Sequence, residues 1–273
     1  MKLTILADNK AVVGHGEWGF SAFLEDEGLR LLFDVGETDL FQRNAALLGI
    51  DLTRLDYVVI SHGHHDHIWG LPHLVADYLT HPDLHRPIVV AHPEAFLPRV
   101  NDKGAELGSL LGEADLGRRF SLRLTSEPLW LTERVVWLGQ IARDNDFEAP
   151  EKPGKILRGG EWQTDLLIDD SALAIKTRQG LIVLTGCSHS GICNIIAQAM
   201  RVTGERRLLD VVGGTHLIQP SERRMAATLD YLRTVQPQEL HAGHCTSLAA
   251  KIRLAEVAQL KDMYVGLSLE YES

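Results

Sequence analysis

Four apolar runs in this sequence each end in a short turn of small and polar residues that carries histidine. The turns cover residues 61–67, 186–191, 213–216 and 243–246. Short apolar runs bounded by such turns are typical of buried β-strands, and a helical pattern follows most of them. Strands with helices occur in the first half of the chain and again in the second. The sequence therefore predicts an α/β fold with two sheets covered outside by helices, an αββα four-layer sandwich.

The densest of these turns is residues 61–67, which read SHGHHDH and hold four of the chain's 13 histidines. No packing requirement explains so many imidazoles together, whereas neutral imidazole and carboxylate are ligands that zinc accepts. In an extended loop His62 and His64 point the same way, so both can bind one metal. Asp66 and His67 follow at a bend and can face a second ion about 3.5–4 Å from the first. A surface histidine tract or a purely structural metal site is the alternative.

Histidines in the other three turns are candidates to complete such a site, because strands that end at one sheet edge bring their turns together. His189 and His244, each in a glycine-flanked turn, are the best candidates for a third ligand to each metal. His216 is open between metal ligand, substrate-binding group and hydrogen-bond donor to a ligand. His65 is expected to point away from the metals. The remaining histidines are expected on the surface or in packing: His15, His73, His81, His85, His92 and His241.

Asp34 ends the apolar run 31–33 and precedes Val35-Gly36. A buried carboxylate is costly unless it is hydrogen-bonded. Metal-binding histidines usually donate to such an acceptor, which fixes their tautomer. We therefore favour an orienting role for Asp34 over that of an ordinary residue before a helix.

The chain as a whole predicts one domain, residues 1–273, with a less regular insertion. Residues 93–165 show no steady period apart from short apolar runs, and we interpret them as an insertion over the sheet, a lid or a specificity region. Ser190 and Ser221 are predicted to cap the helices that follow them. The predicted strands are 3–6, 21–25, 29–34, 57–60, 87–91, 129–131, 134–138, 166–177, 181–185, 208–212, 239–242 and 264–269, and the predicted helices are 39–48, 72–79, 190–202, 221–235 and 248–260.

Charge and composition limit the classes of partner. The formal charge is −10, which argues against non-specific nucleic-acid binding because the phosphate backbone needs a basic surface. No run of about 18 apolar residues marks a membrane span, and the first nine residues become polar too soon for a signal peptide. Three cysteines without paired spacing indicate free thiols in a reducing compartment. We expect a cytoplasmic protein that acts on a small molecule, without nucleic-acid or membrane partners.

The combination of Asp34-Val35-Gly36, the motif from His62 to His67 and the later isolated histidines resembles the metallo-β-lactamase superfamily. The resemblance covers about residues 3–269. Three further segments are similar to the branch labelled dihydropterin-ribofuranosylaminobenzene-phosphate synthase-like. They are TGCSHSG at 185–191, GGTHL at 213–217 and HCT at 244–246.

The resemblance implies a binuclear metal site. His62 and His64 would hold one ion with His189, and Asp66 and His67 would hold the other with His244. Zinc is the expected metal, with iron or manganese as alternatives, because imidazole and carboxylate suit several ions. A redox diiron role is disfavoured, because the redox members resemble a His-x-Glu-x-Asp pattern and this chain has histidine at position 64.

Two positions depart from the pattern of most hydrolases in the superfamily. Those hydrolases have an aspartate that bridges both metals after the strand matching residues 181–185, and this chain has Cys187 there. A thiolate can bridge zinc, but a thiol that packs beside the site is equally open. The usual separate histidine is also missing from residues 125–145, so His189 must supply that ligand.

The leading functional interpretation is a binuclear-type metallohydrolase in which a metal-activated hydroxide attacks a small ester, lactone, amide or phosphate-bearing substrate. Asp66 would orient the nucleophile as well as bind metal. His216 would donate to the developing oxyanion or to a substrate phosphate. Two alternatives remain: a transferase of the pterin-phosphate synthase type, and a metal-dependent binding module without turnover.

Overall fold

The computed structural model describes residues 1–81, 83–148 and 154–272. Its contacts divide the chain into two compact units. The first consists of Met1–Thr125, Lys152–Asp169 and Tyr264–Tyr271, and the second of Ser126–Glu151, Asp170–Met263 and Glu272–Ser273. Strands and helices are numbered along the whole chain.

The first unit contains a seven-stranded mixed sheet and a small three-stranded one. Its elements are β1 (Lys2–Ala7), β2 (Ser21–Asp26), β3 (Leu29–Phe33), α1 (Leu40–Leu47), β4 (Tyr57–Val59), α2 (His65–Ile68), α3 (Leu71–Thr80), β5 (Ile88–Ala91), β6 (Arg99–Val100), α4 (Glu113–Gly117), β7 (Ser121–Leu124), β10 (Lys155–Arg158), β11 (Glu161–Thr164) and β17 (Ser268–Glu270), with a 3₁₀ turn at Leu52–Arg54. The large sheet has the order β17-β1-β2-β3-β4-β5-β7, and the small one β11-β10-β6. Strands β3, β4, β5 and β7 are parallel, so their carboxyl ends lie along one edge.

Adjacent strands of the first unit place apolar side chains in register. Leu32, Val58 and Val89 are paired across β3, β4 and β5. All three are fully buried, in one cluster with Phe41 of α1 and Leu74 of α3. This packing of helices on the parallel strands fixes the sheet edge from which the His-rich turn projects.

The second unit has its own seven-stranded mixed sheet. Its elements are β8 (Leu129–Trp130), β9 (Val135–Trp137), β12 (Ala172–Lys176), β13 (Leu181–Thr185), α5 (Ile192–Thr203), β14 (Leu208–Gly214), α6 (Glu222–Val235), β15 (Glu239–Gly243), α7 (Leu248–Leu254) and β16 (Leu260–Lys261). The strand order is β16-β15-β14-β13-β12-β9-β8. Strands β13 to β16 are parallel, so three of the predicted histidine turns leave one edge of this sheet.

The core of the second unit repeats the arrangement of the first. Val183, Val211 and Leu240 are in register on β13, β14 and β15. They are buried against Ile195 of α5 and Leu229 of α6. The α/β class predicted from the sequence is confirmed in each unit.

Most predicted strands are present with ends shifted by a few residues, but two helix predictions are wrong. Helix α5 begins after Gly191 and not at Ser190, because no side chain of the preceding turn caps it. Helix α7 ends at Leu254, and Leu260–Lys261 forms a strand beside β15. The cap at Ser221 is confirmed, since its hydroxyl accepts the N–H of Arg224.

The region 93–165, interpreted from the sequence as an insertion, supplies several kinds of structure. Residues 121–124 add a strand to the sheet of the first unit, and residues 129–137 add two to the second. Strands β6, β10 and β11 make the separate small sheet. Residues 149–153 of this region lie outside the described part of the chain. Among the described residues, no helix combines the length and apolar character needed to cross a bilayer.

Candidate metal centre

The His-rich turn of the first unit leaves the carboxyl end of β4 and closes with one turn of helix. Residues 61–64 are irregular, and α2 starts at His65. Asp66 and His67 therefore stand on a helical turn, where the sequence predicted only a bend. The rings of His62 and His64 have centroids 4.8 Å apart, and those of His62 and His67 are 4.3 Å apart. The turn brings three imidazoles and one carboxylate together.

Asp34 organises this turn from the neighbouring strand β3. Its carboxylate accepts the backbone N–H and the hydroxyl of Ser61, each at 2.7 Å. The same carboxylate lies 2.7 Å from Nδ1 of His67. The hydroxyl of Ser61 lies 2.9 Å from Nδ1 of His62. Because the Nδ1 sides of both rings are engaged in this way, Nε2 is the nitrogen with which each ring can coordinate a metal.

Burial keeps His62 and His64 uncharged. It is the main cause that lowers the pKa of His62 well below its usual value, and the neighbouring histidines add to the effect. Burial likewise lowers the pKa of His64 to about 3. Neutral imidazole is the form that binds a metal ion. The ring of His65 packs edge-on against Trp69, with centroids 5.2 Å apart, and its Nδ1 lies 3.4 Å from Oδ1 of Asp66.

The second unit gathers its sulfur and imidazole groups at the carboxyl ends of β13, β14 and β15. Sγ of Cys187 lies 3.2 Å from Nε2 of His244. The rings of His189 and His216 have centroids 4.2 Å apart. One donor atom from each of Cys187, His189 and His216 falls within 4.8 Å of the others. The four predicted residues of this half are thus close neighbours.

Close approach of the three turns depends on small residues and on Cys245. A Cβ added to Gly214 would stand 2.5 Å from Sγ of Cys245 and 2.6 Å from the carbonyl oxygen of Gly186. The thiol of Cys245 in turn donates to the carbonyl of Cys187 and accepts the N–H of His216. Burial alone would raise the pKa of the Cys245 thiol, but interactions with the side chains of Cys187, His216 and His244 lower it well below its ordinary value.

Unusual backbone conformations coincide with these strand ends. Among the described residues, seven non-glycine residues have positive φ, and four of them follow strands of the two parallel edges. The four are Asp34, Ser188, His216 and His244, with φ between 46° and 64°. Left-handed conformations of such residues cost free energy and recur at functional sites, where the surrounding structure enforces them. The strain supports a functional role for both edges.

Comparison with known proteins identifies the family. A model of the metallo-β-lactamase superfamily matches residues 19–196. The chain belongs to this superfamily. Its metallo-β-lactamase fold, predicted from the motifs, is confirmed.

Individual relatives resemble the whole of this superfamily member. A 7,8-dihydropterin-6-methyl-4-(β-D-ribofuranosyl)-aminobenzene-5′-phosphate synthase of Methanocaldococcus jannaschii is 29% identical over 272 residues, which cover 92% of this chain and 89% of the relative. The uncharacterized protein MJ0448 of the same organism is 29% identical over 97% of this chain and 98% of its own length. The crystal structure of Tm1679, described as a metal-dependent hydrolase of the β-lactamase superfamily, matches with a TM-score of 0.86 at 28% identity over 100% of both chains. The predicted resemblance to the dihydropterin synthase branch is confirmed.

The residues present fit a divalent metal, as expected of a metallo-β-lactamase superfamily protein. Two ligands of one tetrahedral zinc ion stand roughly 3.3–3.6 Å apart, given metal–ligand bonds of about 2.0–2.3 Å. Oδ2 of Asp66 lies 3.7 Å from Nε2 of His67, and the sulfur of Cys187 lies 3.2 Å from Nε2 of His244. In each unit, therefore, two donor atoms are separated by about the distance expected between two ligands of one zinc ion.

The sequence motifs give no sign of the buried charged side chains around these turns. Arg99, Asp165 and Asp169 form an ion-pair cluster beside the His-rich turn, and Asp170 binds the turn that carries His189. Glu148 accepts the N–H groups of two residues at the start of α5. All five side chains are buried. These ion pairs and hydrogen bonds join residues at least 20 positions apart in the sequence, so no local pattern in the sequence could reveal them.

Proposed function

We propose that the protein is a metal-dependent hydrolase that binds one or two divalent ions, zinc in the first place, and cleaves a small ester, lactone or phosphate-bearing substrate. The observation that carries the proposal is the chain of contacts from Asp34 to His67 and on to Asp66, which orients an imidazole and a carboxylate as a pair. The likeness to Tm1679 supports it.

The proposed ligands follow the family pattern. His62 and His64 bind one ion with His189, and Asp66 and His67 bind the other with His244. Cys187 is proposed as an additional ligand, because its sulfur is within 3.2 Å of His244 and thiolate is a strong zinc ligand. Asp34 acts on the metals indirectly, by orienting His67 and, through Ser61, His62.

Two side chains are proposed to act on the substrate. A divalent ion at such a site lowers the pKa of bound water to about 7 and polarises the bond under attack. Asp66 orients the attacking water and accepts its hydrogen bond. His216, 4.2 Å from His189 between ring centroids, donates a hydrogen bond to the oxygen that gains negative charge.

Metal analysis combined with a substrate panel tests the proposal. Wild-type protein, His62→Ala and a control, His73→Ala on the exposed side of α3, are loaded with zinc and assayed for bound metal and for hydrolysis of generic phosphodiesters and lactones. We expect His62→Ala to lose metal and hydrolysis together and His73→Ala to keep both. Full metal content in His62→Ala would contradict the ligand assignment.

A synthase of the pterin-phosphate type is the second candidate. The relative of that name, 29% identical over 92% of this chain, is the observation that favours it. A synthase would release diphosphate from a pterin diphosphate and leave the generic substrates intact. Binding of such ligands without turnover under any metal would instead indicate a non-catalytic binding module.

The proposed surroundings follow from charge and thiols. A net charge of −10 supports a small-molecule substrate over nucleic acid. In the described part of the chain Cys187, Cys193 and Cys245 are buried and form no disulfide, which supports a reducing, cytoplasmic location.

A further inference from the structure

A buried charged group lies directly behind the His-rich turn of the first unit. The side chain of Arg99 is fully buried. Its Nε and Nη2 atoms pair with Asp165 and Asp169, each at 2.8 Å. The second oxygen of Asp169 accepts the backbone N–H of Gly63 at 2.8 Å. Since Gly63 separates His62 from His64, one carboxylate connects the buried guanidinium to the backbone between two candidate ligands.

The backbone of the His-rich turn packs closely against Arg99 at Gly63. A Cβ at Gly63 would collide with the carbonyl of Ala95 and with the guanidinium of Arg99. The same carbonyl accepts a hydrogen bond from Nη1 of Arg99 at 3.3 Å. The guanidinium therefore contacts two carboxylates and one carbonyl at fixed positions, an arrangement suited to its rigid fork of donors.

An equivalent contact holds the turn of the second unit that carries His189. Oδ2 of Asp170 accepts the N–H of Ser190, the residue after His189, at 2.8 Å. The hydroxyl of Ser190 also donates to the carbonyl of Asp170 at 3.4 Å. Both residues are buried. Asp169 and Asp170 are consecutive in the sequence. Asp169 is the last residue of a segment of the first unit, and Asp170 is the first residue of a segment of the second.

We infer that Asp169 and Asp170 are positioning residues of the metal centre, and that Arg99 fixes Asp169 in turn. Each carboxylate holds a backbone N–H next to a candidate ligand, and so sets where the imidazole stands without touching the metal. The inference rests on the proposed function. Groups that orient ligands in this way typically change metal affinity about 10- to 100-fold when they are removed.

The first test compares Asp169→Asn with Asp165→Asn. The two carboxylates are matched: both are buried, both pair with Arg99, and each also accepts one backbone N–H, from Gly63 or from Leu167. Each carboxylate uses one oxygen for Arg99 and the other for the backbone N–H. A carboxamide has only one acceptor oxygen, so either variant loses one of these two contacts. Zinc affinity is measured by competition with a chromogenic chelator, and stability by urea unfolding.

Only Asp169→Asn should weaken zinc binding, by about 10- to 100-fold, although both variants should unfold at lower urea concentration. Equal zinc affinity in the two variants would overturn the assignment. If Asp169→Asn does not fold, Arg99→Lys takes its place, because an ammonium group keeps the charge but cannot hold both carboxylates in one plane. Unchanged zinc affinity in that variant would equally overturn it.

The second test compares Asp170→Ala, which removes the acceptor of the Ser190 N–H, with Ser171→Ala. Ser171 is the next residue, is buried, and donates to the carbonyl of Gly139 at 2.7 Å, so its loss removes a buried hydrogen bond away from the histidine turn. Zinc affinity should fall in Asp170→Ala alone. A wild-type protein that binds no zinc would refute the proposed function itself, whereas zinc binding that none of these variants alters would refute only the positioning roles.

Discussion

At the scale of single residues, the candidate centre depends on groups held in conformations that are unfavourable elsewhere. Asp34, His216 and His244 all have positive φ, and His62 is held uncharged by burial. Neither feature improves stability, since left-handed backbone and buried neutral histidine both cost free energy of folding. The proposed ligand geometry would explain why both features coincide at the ends of parallel strands.

Cys187 provides a direct test of how the second half of the centre binds metal. Its sulfur lies 3.2 Å from Nε2 of His244. We expect Cys187→Ser to lower the zinc stoichiometry measured by elemental analysis, because a hydroxyl is a much weaker zinc ligand than a thiolate. Cys193→Ser is the control, since that thiol is also buried but lies on α5, where burial raises its pKa. Equal stoichiometry in all three proteins would assign Cys187 to packing.

The buried histidines predict how the metal-free protein responds to acid. The pKa values of His62 and His64 are lowered in the folded protein, the latter to about 3. Between about pH 6.5 and that value, the unfolded chain binds protons that the folded chain does not, so stability must fall as the pH falls. Urea unfolding of metal-free protein at pH 7 and pH 5 measures this loss. His64→Gln should show a smaller loss, and an identical loss would contradict the burial argument.

At the scale of elements, what the sequence could predict was local. The strands ending in histidine turns were predictable because apolar runs and glycines are neighbours in the sequence, and the motif from His62 to His67 lies within six residues. The Ser221 cap was predictable for the same reason. The start of α5 was not, because its cap is Glu148, 45 residues before Cys193. The role of Arg99, in the two-residue strand β6, was not predictable because its partner Asp165 is 66 residues further along the chain.

Glu148 stabilises the helix that follows the His189 turn. Its carboxylate accepts the N–H groups of Cys193 and Asn194, each at 3.0 Å, at the positive end of the helix dipole. Glu148→Ala should lower the free energy of unfolding by about 2–3 kcal/mol, because hydrogen bonds to a buried charged group are lost. Asp146→Ala, which removes a solvent-exposed ion pair with Arg223, should cost at most about 1 kcal/mol. Similar losses in urea unfolding would show that Glu148 is not the cap.

At the scale of the whole molecule, the chain builds the same design twice. Each unit has a seven-stranded sheet in which four neighbouring strands are parallel. Helices pack on each sheet through an apolar cluster. In both units the candidate ligands follow the carboxyl ends of the parallel strands. Neither unit carries a full set of the proposed ligands: His62, His64, Asp66 and His67 belong to the first, and His189 and His244 to the second.

Zinc should stabilise the folded protein, and the effect should require the proposed ligands. A ligand that binds only the folded state adds about 2.7 kcal/mol when its free concentration is 100 times its Kd. We expect this increase in wild-type protein on adding zinc after chelation, measured by urea unfolding. The proposed ligand variants His64→Ala and His189→Ala should each show a smaller increase, and exposed His73→Ala should match wild type. An undiminished increase in either ligand variant would exclude that histidine from the centre and, if both behave so, would refute the proposed ligand set.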